Sequence, residues 1–229
     1  MKVRTETAMP ASDRLSTFIA AGAWAAIVGG AAMIISLLLD WLVVPYEKLG
    51  VAGAYLTASY PVSSGPRLLG TVLFLWALLA LYNRQSIAVG TFGLWSFVVA
   101  FFGTALLAGE VWAEVFVWPT FARVAPNVFT GDLTDAAYLI TGRSLSAYLF
   151  GIGIILFGVA TLRAGVYPRW AAGLLIVSIP ATAFLPNVEG AFSESIGQIM
   201  FGSAVMILGW HALKIAPTRS TPDTGRVPS

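Results

Sequence analysis

Six stretches of this chain contain no Asp, Glu, Lys or Arg: 15–39, 68–83, 85–109, 144–162, 170–188 and 195–213. A helix needs about 20 apolar residues to cross the ~30 Å hydrocarbon core of a bilayer. Five of the six runs hold 19 or 25 residues. The run 68–83 has 16, and gains a turn if Pro66 opens its helix at the first position with Ser64 or Gly65 capping. The runs are continuously apolar instead of alternating, and their Gly and Ala suit helix packing, which disfavours a β-barrel. The expectation is an all-α, polytopic membrane helical bundle of six transmembrane helices. Lys2, Arg4 and Arg14 precede the first run as in a secretory signal, but 25 uncharged residues exceed a signal's apolar core, so it reads as a retained helix.

Composition excludes several classes. Hydrophobic residues make up 58% of the 229 and charged residues 10%, with mean hydropathy +0.82, against about 25% charged in a soluble domain. A net charge of +2 with three lysines offers no basic stripe for nucleic acid. Cysteine is absent, which removes disulfides, thiolate nucleophiles and iron–sulfur ligation. The one histidine, His211, cannot form a two-histidine metal site, and none of Lys2, Lys48 and Lys214 follows a phosphate-wrapping glycine loop.

Lys and Arg in the connections set the orientation. A cytoplasmic N-terminus puts nine of them inside (Lys2, Arg4, Arg14, Arg84, Arg163, Arg169, Lys214, Arg219, Arg226) and four outside (Lys48, Arg67, Arg123, Arg143). Both termini are therefore expected in the cytoplasm. The organisation that follows is a cytoplasmic segment 1–16, a transmembrane domain 17–215 with long outer loops at about 40–66 and 118–143, and a disordered cytoplasmic tail 216–229. Long loops are often functional, and these are expected to bear short interfacial helices. A third helix spanning 88–118 would measure roughly 46 Å, so its outer end must project, tilt or bend. The fifth is expected to kink at Pro180. The loop lengths do not match an inverted repeat.

Glu110 and Glu114 share one face of the third helix at its outer end. Ionisable groups near bilayer depth are candidate sites: the pair could hold a cation, relay protons or act as acid and base. The alternative is solvation, or pairing with Arg67 and Arg143, which begin helices two and four on the same side. Asp40, Glu189 and Glu194 add to the acids there. His211 belongs to the opposite side, as an interfacial residue near a helix C-terminus, with a haem ligand or proton switch as the alternative.

Trp41, Trp112 and Trp118 fall at the outer interface and Trp170 and Trp210 at the inner one, as an aromatic belt. Trp24, Trp76 and Trp95 share a depth in the inner half and could meet in the bundle, packing helices or holding an apolar ligand. Small residues mark expected helix contacts: Gly22, Ala26 and Gly30; Ala147, Gly151 and Gly158; Gly202 and Gly209. The last stripe carries Gln198 and Ser195, for an interhelical hydrogen bond or a polar substrate lining.

The turn between helices four and five reads Leu162-Arg163-Ala164-Gly165-Val166-Tyr167-Pro168-Arg169-Trp170. This Arg-x-Gly-x-x-Pro-Arg-Trp pattern resembles the cytoplasmic hinge of uncharacterised prokaryotic multi-pass membrane proteins grouped as domains of unknown function. The resemblance covers nine residues, implies a multi-pass protein of a prokaryotic inner (cell) membrane, and carries no activity with it. Physically, Gly165 permits a C-terminal cap, Pro168 opens the next helix, and Arg163, Arg169 and Trp170 anchor both at the headgroups.

No complete catalytic constellation is present. The sequence therefore points to an accessory or ligand- or partner-binding membrane subunit acting through its outer loops. Its partners would be the bilayer, and a membrane protein or apolar small molecule; the sequence leaves any cofactor unknown. The alternative is a small transporter or intramembrane enzyme that uses Glu110 and Glu114 as a proton or cation site.

Overall fold

The computed structural model describes residues 11–129, 137–184 and 193–215. All regular structure among them is helical: α1 (Ala11–Val43), α2 (Tyr46–Tyr55), α3 (Ser59–Phe116), α4 (Trp118–Val124), a 3-10 turn (Pro126–Phe129), α5 (Ala137–Ala164), α6 (Arg169–Phe184) and α7 (Ser193–Ile215). Four of them, α1, α3, α5 and α7, are long and apolar enough to cross a membrane, and α6 is apolar but has 16 residues. Chains of this composition become helices because hydrocarbon offers backbone amides no partner, and a helix satisfies them within the segment.

α3 has 58 residues and would be ~87 Å long if straight. It is broken at Gly90, whose φ of 56° and ψ of −153° belong to a region only glycine enters without strain. Arg67 and Glu114, 47 residues apart, nonetheless form an ion pair. Tyr82 stacks on Phe97 with ring centroids 4.5 Å apart. Both pairs are centred on residue 90, so the limbs 59–89 and 91–116 fold back antiparallel. The turn expected around Arg84 thus falls six residues later. Residues 84–89 stay helical because Arg84 is tied to the Ile215 carbonyl and Gln85 is buried against Thr161, and Gly90 supplies the positive φ that ends the limb.

The start of α3 also differs from expectation. Pro66 lies inside the helix, which begins at Ser59. Proline has no N–H to give to the preceding turn. The neighbouring turns are held instead by side chains: Ser63 and Ser64 hydroxyls both donate to the Tyr60 carbonyl, at 2.9 and 2.7 Å, and Ser36 of α1 donates to the Ser63 carbonyl at 2.5 Å. At its other end α3 stops at Phe116, and α4 starts at Trp118-Pro119 after a cap at Val117. The over-long third helix therefore bends. α6 contains Pro180; Pro186 and Glu189 lie outside the described residues, as do 1–10 and the tail 216–229.

The helices close into a ring. α1 packs on the first limb of α3 and on α7, the second limb packs on α5, α5 on α6, and α6 on α7. Phe74, Leu78, Ile154, Phe157, Leu175 and Leu208 fill the centre, and Phe201 takes Phe74 and Phe150 edge-on at 5.1 and 5.5 Å.

Glycine sets the closeness of the ring. A Cβ on Gly30 would lie 2.5 Å from the Gly202 carbonyl oxygen, and one on Gly209 2.6 Å from that of Ala23, so Ala26 and Gly30 of the α1 stripe face α7, while Gly22 faces Ala80 of α3. Gly158 abuts Ile176 of α6. A further crossing was not read from sequence: Gly103 faces the Phe150 backbone and Gly153 the Ala100 backbone, each 2.5 Å from where a Cβ would sit.

Candidate functional site

The two ends of the ring differ chemically. At the end where α3 folds back, Arg84 bonds the last carbonyl of α7 at Ile215, and Arg163 lies 4.7 Å over the Phe92 ring. Tyr167 is buried here in the α5–α6 turn, where Gly165 has φ of 65°. Burial holds its hydroxyl proton well above the ordinary range. His211 is half-buried one turn before Ile215. Glu110 and Glu114 are at the other end of α3's second limb, so the imidazole and the carboxylate pair occupy opposite ends of the bundle.

The far end carries a cap built from both long connections. Tyr55 of α2 meets Tyr60 at 4.5 Å edge-on, Trp118 of α4 at 5.8 Å and Phe129 at 5.1 Å. Trp118 is 7% exposed. It therefore serves as the cap's centre and not as a belt residue, because the bend at Val117 turns it inward over α5. Trp41, Trp112, Trp170 and Trp210 face outward, as a belt requires.

Beneath the cap lies a four-residue charge network. Glu114, 8% exposed, pairs with Arg67 and also with Arg143, whose Nη2 is 3.7 Å from Oε1. Arg143 Nε donates to Glu110 Oε1 at 3.0 Å, and the Ser146 hydroxyl donates to Glu110 Oε2. The Arg143 guanidinium also sits 4.7 Å over the Trp118 ring, a cation–π contact. Both carboxylates thus have cationic partners, and the network ties both limbs of α3 to α5. Ser146 was missed in the sequence, although it follows Arg143 by three residues and so shares its helix face.

Asp40, at the end of α1, belongs to a neighbouring cluster. Its Oδ1 accepts from Tyr46 at 3.2 Å and lies 3.1 Å from the Ser63 hydroxyl, which shares its one proton between this carboxylate and the Tyr60 carbonyl. Burial, then the Asp40 charge, push the Tyr46 hydroxyl far above its ordinary range, so it stays a donor. Burial and then Glu114 raise Tyr55 in the same way.

Between α1, α2, the first limb of α3 and α7 is a cleft of about 900 Å3. Its polar wall contains Asp40, Tyr46, Ser64, Arg67, Ser195 and Gln198; its apolar wall contains Trp41, Leu42, Val43 and Val51. Arg67 reaches both the cleft and the charge network, and its buried Nε has no partner among the described residues. A shallower hollow of about 270 Å3, lined by Leu106, Glu110, Tyr138, Arg143 and Ser146, lies on the other side of the network.

Of the sequence-derived candidates, Glu110, Glu114, Arg67 and Arg143 come together, and Asp40, Gln198 and Ser195 share the cleft with Arg67. Trp24, Trp76 and Trp95 do not meet in the interior. They are 55%, 40% and 64% exposed on the outside of the bundle, and Trp76 contacts Phe18 at 6.2 Å. Shared depth does not fix facing, and the small residues beside them, Ala23, Ala77 and Ser96, take the inward positions.

A second buried polar contact was also missed. Gln85 Nε2 donates to Thr161 Oγ1 at 3.0 Å, leaving Oε1 without a described partner. No three potential metal ligands converge among the described residues. Comparison with family models, with curated proteins and with solved structures gives no match.

Proposed function

We propose that this chain is a six-pass membrane protein, with both termini cytoplasmic, that holds a small ligand in its outward cleft and serves as an accessory or ligand-binding subunit. The six passes follow if the limbs of α3 each cross once and if α6 completes its crossing within the apolar run 170–188. The observation that carries the binding reading is the cleft: about 900 Å3, at the upper end of the range for ligand sites, with polar groups converging on one wall. Glu110 and Glu114 are committed to Arg67, Arg143 and Ser146, so the cleft beside them, and not the pair itself, is the place for a ligand.

Orientation is tested directly because the chain has no cysteine to remove. Leu49 and Ile87, 51% and 101% exposed, lie at opposite ends. In intact cells a membrane-impermeant maleimide is expected to label Leu49→Cys, and Ile87→Cys only after permeabilisation. The reverse pattern would invert the topology, and labelling of both from outside would remove it.

Occupancy of the cleft is tested with Gln198→Trp, a substitution at an exposed lining position. Wild type purified in mild detergent is expected to retain a small molecule, read by mass spectrometry of the extract, and the variant to lose it at unchanged thermal stability. Equal recovery from both proteins, or none from a wild type that is fully functional in cells, would overturn the reading.

A further inference from the structure

Arg67 and Asp40, of opposite charge, line the same cleft. Arg67 engages Glu114 through Nη2, while its Nε is unpartnered among the described residues. Asp40 is held through Oδ1 by Tyr46 and Ser63. Ser63 precedes Arg67 by one helical turn on α3, about 6 Å of rise. The Asp40 carboxylate that Ser63 bonds and the Arg67 guanidinium therefore belong to neighbouring turns of one wall. Lys48 and Glu47, both exposed, repeat the two signs at the rim.

This balance discriminates by charge. A purely anionic ligand drawn to Arg67 would face Asp40, and a cation drawn to Asp40 would face Arg67; like charges brought together in a cleft oppose binding. A ligand bearing both signs, one turn apart, meets a partner at each. The apolar wall adds a second requirement. Trp41, Leu42, Val43 and Val51 line the same cleft yet are 59%, 72%, 43% and 45% exposed, so the space continues from the charged wall onto an apolar surface. At about 900 Å3 the cleft has room for more than a headgroup.

We infer that the cleft binds a zwitterionic amphiphile, a phospholipid with an ammonium beside its phosphate, which places the phosphate on Arg67 and Lys48, the ammonium on Asp40 and Glu47, and the acyl chains along Trp41, Leu42 and Val43. This rests on the cleft being a ligand site, and names its ligand class. Tyr46 and Ser63 are the positioning residues: they orient the carboxylate before the ligand arrives, which lowers the ordering cost of binding.

The test uses the full chain, delipidated in detergent and read by native mass spectrometry. The probes are phosphatidylethanolamine, phosphatidylglycerol with identical acyl chains, and free glycerophosphoethanolamine. Wild type is expected to retain phosphatidylethanolamine about tenfold better than phosphatidylglycerol, the scale of one hydrogen bond to a charged group. Asp40→Asn keeps an acceptor for Tyr46 and Ser63 and is expected to erase that preference. Glycerophosphoethanolamine is expected not to compete.

Equal retention of both lipids by wild type and Asp40→Asn, with both lost in Gln198→Trp, would overturn the zwitterion assignment while leaving the cleft a ligand site. Undiminished retention by Gln198→Trp would remove the cleft itself. Displacement by glycerophosphoethanolamine at equal concentration would keep the charge pairing and overturn the lipid.

Discussion

Glu114→Gln is expected to cost about 3 kcal/mol of stability. Removing one partner of a buried ion pair leaves the other charge uncompensated, which costs about 3–5 kcal/mol. The lower end applies here because Arg67 is 36% exposed and recovers some hydration. The loss is compounded by geometry: Glu114 is shared by Arg67 and Arg143, so two guanidinium groups lose a partner at once. A paired replacement separates a structural clasp from a chemical site. Arg67→Met combined with Glu114→Met removes both charges, and apolar replacement of a buried ion pair is often neutral or stabilising. Thermal unfolding in detergent should therefore show a large drop for Glu114→Gln and a substantial recovery for the double variant. A Glu114→Gln protein as stable as wild type would show that the network contributes nothing to folding.

The second large effect is expected at Gly153. Its missing side chain lets the second limb of α3 approach until a Cβ would be 2.5 Å from Ala100 Cα. The obstacle is backbone, which cannot rotate aside as a side chain can, and Gly103 makes the reciprocal approach to Phe150 on the same interface. Overpacking ordinarily costs about 1–3 kcal/mol; Gly153→Leu is expected to exceed that range and to abolish recovery of folded protein. Gly153→Ala should fall within it. Gly109→Ala serves as the control, since nothing lies within 4 Å of its Cβ position, and should be silent. Fluorescence-detected size exclusion of the three variants orders them directly; normal elution of Gly153→Leu would mean that α5 and α3 do not pack this closely.

How much of this was legible in the sequence depends on which physical constraint was acting. Apolar runs report solvent, so they located α1, α6 and α7 within a few residues, whereas α5 begins at Ala137, about two turns earlier than its run and inside the expected loop 118–143. They also separate the limbs of α3, although the charge at Arg84 reads as the turn and Gly90 makes it. An arginine at a helix end reads as a headgroup anchor, whereas this one bonds a neighbouring helix's terminal carbonyl. Side of the bundle was also readable: Glu110, Glu114, Arg67 and Arg143 were placed together because all four end helices on one side.

Azimuth was less legible. These helices are apolar on every face, so periodicity does not say which side turns inward, and Trp24, Trp76 and Trp95 were expected together when they point outward. The cap shows the same limit. Tyr55, Trp118 and Phe129 lie in separate connections, and nothing local announces that they converge. Pro66 illustrates a third: proline reads as a boundary, but here serine hydroxyls and a contact from α1 support the turns around it.

The ring has a consequence for biogenesis. α1 closes it against α7, the last of the described helices in chain order, through Gly30 on Gly202. Until α7 is made, one flank of α1 is left uncovered. The wall carrying Ser195 and Gln198 is thus contributed only once α7 has been made, and a chain truncated before residue 193 is expected to lack the cleft.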